Sequence, residues 1–262
     1  DVGIAEENAV TMSAGLALKG MKPVVDIYST FLQRAYDEIL EDVSRNEVST
    51  VFLVERAGLV GEDGASHQGI YDVGMVRTIP YSRVYMPYDK RSMARLFKEH
   101  FFESIGPCFF RLTKDKPIND AKILLHTSVV DILSRNHTGK LVLAIGPRGY
   151  SLLQRLPEKE YDRMILLNLL PSIQELRSMD VFSYSEIYLY DPYSTVAASS
   201  QHIAEVLLEN GFSGRYIPLA FPDDFITFGQ VEDLMKMEGM DVDSAVSRIR
   251  NWTEKEKAVH HQ

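Results

Sequence analysis

Asp1-Val-Gly-Ile-Ala-Glu6-Glu7-Asn8-Ala-Val10 runs directly into a helical pattern. Ile4, Val10, Ala14, Leu16 and Leu18 recur at roughly helical spacing, with small residues (Ala5, Ala9, Ser13, Gly15, Ala17) between them. So many small residues let another element approach the backbone closely. Gly20 stands where a C-terminal cap belongs. Two acids, Glu6 and Glu7, sit side by side in this mostly apolar helix. Adjacent helical positions point about 100° apart, so at most one shares the buried face, where a carboxylate is costly without a partner. Two readings stand at this point: first-turn acids complementing the helix dipole, or one acid held in a site.

Outward from this helix, Val24–Tyr28 predicts a short buried strand, and 31–45 an amphipathic helix with a stripe of Leu32, Ala35, Tyr36, Ile39, Leu40 and Val43. Thr50–Glu55 is a continuous apolar strand of the kind found inside parallel sheets. A Gly-rich loop, 58–69, comes next, where ligand loops of open α/β sheets lie. Residues 83–87 and 108–112 predict further strands, with a helix over 90–102 capped by Asp89. The polar stretch 114–126 marks a domain boundary. Beyond it, strands at 141–145, 164–168, 186–190 and 215–219 alternate with helices at 150–156, 172–179 and 194–210, the last ended by Gly211. The tail from Thr227 reads as a charged helix lying outside. His260-His261 reads equally as native sequence or tag.

Composition narrows the function classes. With 45% hydrophobic and 25% charged residues the chain is an ordinary globular protein, and its formal net charge of -9 argues against a general nucleic-acid binder. One cysteine, Cys108, excludes an intrachain disulfide and a Cys-rich zinc site. No apolar run approaches the roughly 20 residues of a membrane helix, and no signal-peptide pattern is present. A reducing, cytoplasmic setting is the expectation.

The opening stretch resembles the glutamate-bearing helix of the transketolase-like thiamine-diphosphate enzymes, and most closely the branch of 1-deoxy-D-xylulose 5-phosphate synthases. The resemblance continues through Tyr28-Ser-Thr-Phe31-Leu-Gln-Arg34, then Glu55-Arg56-Ala-Gly, then Gly61-Glu-Asp63-Gly64-Ala-Ser-His67-Gln-Gly69, and reaches Gly106-Pro107 and Arg111. It is strong over residues 1 to about 115 and rests on pattern beyond. Two departures stand out: Asn8 replaces a family histidine, and Thr113-Lys114-Asp115 replaces a family Pro-Arg-Gly.

The resemblance implies two consecutive α/β domains, each a mainly parallel sheet covered by helices. Residues 1–118 would be the pyrimidine-binding domain lacking its first strand, and 122–262 the transketolase-type C-terminal domain. It implies Glu6 as the catalytic carboxylate beside the pyrimidine ring, with Phe31 and Tyr28 also binding the cofactor. Asp63 and His67 would face the substrate, His67 as a proton carrier; a loop His is otherwise more often simply solvated. Arg34, Arg56, Arg111 and Lys114 would contact substrate, although Arg34 alone reads equally as a solvated helix residue. No metal ligand is assigned in this chain. Thiamine diphosphate and Mg2+ are the implied cofactors, with the diphosphate and metal site on an upstream domain or a second chain. The implied reaction condenses pyruvate, with decarboxylation, and D-glyceraldehyde 3-phosphate to 1-deoxy-D-xylulose 5-phosphate, in a homodimer, for isoprenoid, thiamine and pyridoxal synthesis. By itself the chain is expected to be inactive, a part or split half of the enzyme. The alternatives are another thiamine-diphosphate half-subunit, transketolase-like or 2-oxoacid dehydrogenase beta-like, and a non-catalytic assembly module.

Overall fold

The computed structural model of the chain describes residues 1–101 and 105–259, with 253–259 as backbone only. His260-His261 and the end of the helix expected over 90–102 lie outside the described residues. Helix α1 (Glu6–Leu18) leads to strand β1 (Val24–Tyr28). A helical segment comes next in three parts: a 3-10 stretch over Ser29–Ala35, one α turn, α2 (Tyr36–Glu38), and a widened π stretch over Ile39–Ser44. Then come β2 (Thr50–Glu55), α3 (Asp72–Val76), β3 (Arg83–Tyr85), α4 (Lys90–Phe101) and β4 (Pro107–Leu112). These strands form a parallel sheet in the order β1-β2-β4-β3.

The second half holds β5 (Leu125–His126), β6 (Val130–Ser134), β7 (Lys140–Ile145), α5 (Gly146–Arg155), β8 (Asp162–Leu166) and α6 (Ile173–Ser178). It continues with β9 (Glu186–Thr195), α7 (Ser199–Glu209), β10 (Arg215–Phe221), α8 (Val231–Met237) and α9 (Val242–Val259). Its six-stranded sheet runs β10-β9-β7-β8-β6-β5. It is parallel except at β6, which pairs antiparallel with both β5 and β8. The α/β class with two mainly parallel sheets is therefore as expected. No described helix is long and apolar enough to cross a membrane.

Several expectations need correction. In α1 only Ala9, Val10, Ser13 and Ala14 are buried, while Ile4, Leu16 and Leu18 are exposed. Small residues press on the sheet and the larger apolar ones face out. The stripe of the second helix holds, since Leu32, Ala35, Ile39 and Val43 are fully buried, but it is not one regular α-helix. The three-residue step from Leu32 to Ala35 suits a 3-10 turn, and the π stretch resets the register for Val43. Strands β5 and β6 add to the expected pattern; Val129-Val-Asp-Ile-Leu133 is the short apolar run behind β6. The helix expected from 194 starts at Ser199, because β9 stays extended and buried through Thr195. Nor does the tail lie outside: Leu234, Met235, Met240, Ala245, Val246 and Ile249 are all buried, on α8, α9 and the turn between them.

The two halves are joined through backbone and side chains. Met86 N–H donates to Leu167 O at 3.0 Å and Leu169 N–H to Val84 O at 2.8 Å, extending β3 onto the second half. The strongest tie is Arg111, fully buried on β4. Its guanidinium holds both Asp72 oxygens at 2.7 and 2.8 Å. It also donates to Gly69 O at 3.1 Å, Tyr193 O at 3.0 Å and Ser194 Oγ at 3.1 Å. Its donors are committed inside the protein, so the expected role of Arg111 in substrate binding does not fit this geometry. Burial also pushes the neighbouring Cys108 thiol up to about 12, which leaves it unreactive at neutral pH. Breaking a buried pair strands the remaining charge, so Arg111→Met should cost about 3–5 kcal/mol. Urea unfolding of the chain would read this as a lowered midpoint, and an unchanged midpoint would remove Arg111 from its tying role.

Candidate active site

The carboxyl ends of β1 and β2 lie side by side, with Tyr28 opposite Glu55 in the register. The segments leaving these two strand ends build the site. After β1 the chain turns at once into the 3-10 stretch, so Phe31 and Arg34 sit just above the strand end. After β2 Arg56 takes a left-handed backbone, φ 57°. That conformation is rare for a residue with a side chain and marks a position held by its surroundings.

The loop beyond is closed at its base by Gly58 and Gly69, whose N–H groups donate to each other's carbonyls at 2.7 and 2.8 Å. A Cβ on Gly69 would lie 2.2 Å from Arg56 O, so the strand end and the returning loop are pressed together there. The second half braces the same loop. Buried Gln68 accepts from Val60 N–H at 2.9 Å and donates to Thr227 O at 3.1 Å. Gln230 donates to Glu62, and Tyr71 O–H donates to Asp224 O at 2.9 Å.

Seven of the nine expected site residues come together. Glu6 is largely buried on α1, 13% exposed at its side chain, and meets Arg34 Nη1 at 3.3 Å. Glu7 beside it is exposed. The Arg34 guanidinium lies 4.9 Å from the Phe31 ring centroid. Phe31 stacks on Tyr28 with centroids 5.8 Å apart and planes at 21°. Beyond Tyr28, Arg56 lies 4.1 Å from that ring's centroid, donates to Tyr28 Oη at 3.2 Å and pairs with Asp63 at 3.2 Å. His67 meets Phe31 edge-on at 5.6 Å, and its Nδ1 shares a 2.8 Å hydrogen bond with Ser66 Oγ. Thr30 Oγ1 donates to Ser66 O at 2.9 Å, tying the loop back to the 3-10 stretch.

Lys114 and Arg111 are the two outside this cluster. Exposed Lys114 lies just past β4, in a small cavity of about 200 Å3 with Leu59, Asp115, Arg148, Tyr193 and Glu232. There Arg148 is held by Asp115 at 2.8 Å and by Glu232 at 2.6 Å, and Tyr193 O–H donates to Asp115 at 2.8 Å. Sequence reading missed Arg148, which carries no motif; only the meeting of α5, α8 and the end of β4 makes it a neighbour of Lys114. Asn8, the other departure, is exposed on α1.

Residues 1–117 match the family model described as transketolase, pyrimidine binding domain. This part of the chain is similar to that family. Over nearly its whole length the chain is similar to 1-deoxy-D-xylulose-5-phosphate synthases. It is 34% identical to that of Brevibacillus brevis, covering 96% of this chain and 41% of the relative. It is 33% identical to that of Macrococcus caseolyticus, covering 100% and 42%. The chain thus spans about two-fifths of the curated relatives it matches. Among solved structures, one described as a split gene transketolase, inactive beta4 tetramer, superposes with a TM-score of 0.77 at 21% identity, covering 95% of this chain and 81% of that one. The transketolase of Campylobacter jejuni gives 0.75 at 16% identity, covering 95% and 39%. At these identities the structures speak for the transketolase-like fold.

Gly69 tests the pressed junction at the base of the loop. Gly69→Ala would force Arg56 O and the loop apart, at a cost of about 1–3 kcal/mol. Gly15→Ala on α1, where the added Cβ meets nothing within 4 Å, should be neutral or stabilising. Thermal unfolding of both variants compares them; equal midpoints would refute the close approach.

Proposed function

We propose that this chain forms the pyrimidine-binding part of a thiamine-diphosphate-dependent synthase joining pyruvate, with loss of carbon dioxide, to D-glyceraldehyde 3-phosphate. The observation that carries the reading is the bridge between Glu6 and Phe31. A largely buried carboxylate and a partly exposed aromatic ring are linked by the Arg34 guanidinium, itself 42% exposed. Its contacts to Glu6 are long, 3.3 and 3.4 Å, so a ring entering between the two displaces a flexible side chain and not packed core. These residues fit the pyrimidine end of the cofactor: a flat apolar surface and one hydrogen-bonding carboxyl group.

When bound, thiamine diphosphate supplies a carbon nucleophile that also stores the electron pair released on decarboxylation. Glu6 holds the proton shared with the pyrimidine nitrogen, and Arg34 orients Glu6 before the cofactor enters. Phe31 and Tyr28 cover the ring and exclude water. His67, its ring fixed through Nδ1 by Ser66, presents Nε2 to carry a proton at the substrate oxygen. Arg56 exchanges its solvent-screened pair with Asp63 for the acceptor's phosphate, and Lys114 adds a second charge without the flat two-point grip of an arginine. The diphosphate and its divalent cation belong, on this reading, to an upstream domain or a second chain, in a cytoplasmic assembly built as a homodimer.

In the complete enzyme, Glu6→Ala should lower turnover about a hundredfold or more, while Glu7→Ala stays near normal. Formation of 1-deoxy-D-xylulose 5-phosphate from the two substrates is the readout; two-carbon transfer between sugar phosphates in its place would mark a transketolase. The 262-residue chain alone should neither bind thiamine diphosphate with magnesium at micromolar levels nor decarboxylate pyruvate. Calorimetric binding in that range would place the whole cofactor site within this chain.

A further inference from the structure

Helix α9 carries one apolar stripe. Val242, Ala245, Val246 and Ile249 recur at helical spacing, and the last three are buried against the second half. The next apolar position on that side is Trp252, and there the packing stops, for Trp252 is 47% exposed. The second sheet ends at this place, because β10 is its edge strand. Ile217 and Leu219, two residues apart on β10, share one face of the sheet, and Tyr188 of β9 stands beside Ile217 in the register. Between these side chains and α9 lies a cavity of about 530 Å3, with Ile249 and Trp252 on its helix side. That is the size of a small-molecule site.

The polar groups around the cavity set what it can hold. Its two tyrosines are already committed: Tyr188 Oη donates to Glu186 at 2.5 Å and Tyr216 Oη to Ser200 O at 3.0 Å. They offer mainly carbon surface. Arg248, four residues before Trp252 and so on its side of the helix, lines the mouth with Asn251, and both are exposed. Among the described residues Arg248 is the only charged side chain in the lining, and it has no ion pair or hydrogen-bond partner. Arg148 and Arg155, by contrast, are held by carboxylates. An unpaired guanidinium beside an indole and an aliphatic floor suits an oxyanion carried on a flat apolar body. One cation balances one negative charge, so a carboxylate fits better than a dianionic phosphate. A further strand is a poor occupant, because Pro218 in the middle of β10 has no N–H to donate.

We infer that this cavity is a binding site for a small flat-ring carboxylate. The ring lies between Trp252 and the floor of Ile217 and Leu219, and the carboxylate meets the Arg248 fork, with Asn251 as a second donor. All of the lining comes from residues 188–252, so the site is separate from the Glu6–Phe31 cluster and independent of the reaction assigned there.

The test uses the full chain. It has one tryptophan, so a proton–nitrogen correlation spectrum contains a single indole N–H signal that reports on the cavity. Titration with 2-naphthoate should move that signal saturably, with a Kd below about 1 mM. 2-Naphthamide, the same ring without the charge, should bind at least about tenfold more weakly. Acetate, the charge without the ring, should leave the signal in place at the same concentration. Arg248→Gln, at an exposed and unpaired position, keeps the fold and should weaken 2-naphthoate about tenfold while leaving 2-naphthamide unchanged. The inference is overturned if 2-naphthoate does not move the signal, if the two naphthalene compounds bind alike, if acetate moves it as far, or if Arg248→Gln binds 2-naphthoate as tightly as the parent chain.

Discussion

A single buried guanidinium holds the site loop in its setting. Arg111 joins the first turn of α3 through Asp72, the base of the loop through Gly69 O and the second half through Tyr193 O. An isolated charge in such a place would be prohibitive, so the arrangement exists only as a complete network. Remove one partner and the loop base, the helix after it and the end of β9 lose a common anchor. The loop's remaining supports, Gln68 to Thr227 O and Tyr71 to Asp224 O, likewise come from the second half. The second half is therefore part of the site's architecture, although it supplies none of the clustered residues.

Within the site, charges are paired before any ligand arrives. Arg34 meets Glu6 and Arg56 meets Asp63, and each guanidinium also lies against an aromatic face. These pairs are partly exposed and contribute little to stability. Their consequence is orientation: the carboxylate, two rings and the imidazole are set in fixed relation at two strand ends, so less ordering is left to binding. Lys114 sits apart, beside a carboxylate–arginine cluster of Asp115, Arg148 and Glu232, where the family pattern has an arginine and a glycine.

The choice between Glu6 and Glu7 shows how far the linear pattern reached. Helical geometry limits the buried face to one of them, and the family motif selected Glu6; packing then buries Glu6 and exposes Glu7. The sequence by itself determined the α/β class, the strands other than β5 and β6, the loop after β2 and the motif residues, because apolar runs, glycine positions and short motifs are local properties. The helical spacing grouped Leu16 and Leu18 with Val10 and Ala14, yet only the latter two are buried, since periodicity shows a stripe's existence and not what lies against it. Only the tertiary structure shows that the donors of Arg111 are spent inside the protein, because a side chain's free donors depend on partners up to 83 residues away. The same holds for Arg148 beside Lys114: the pair arises from elements distant in sequence, brought together by burial.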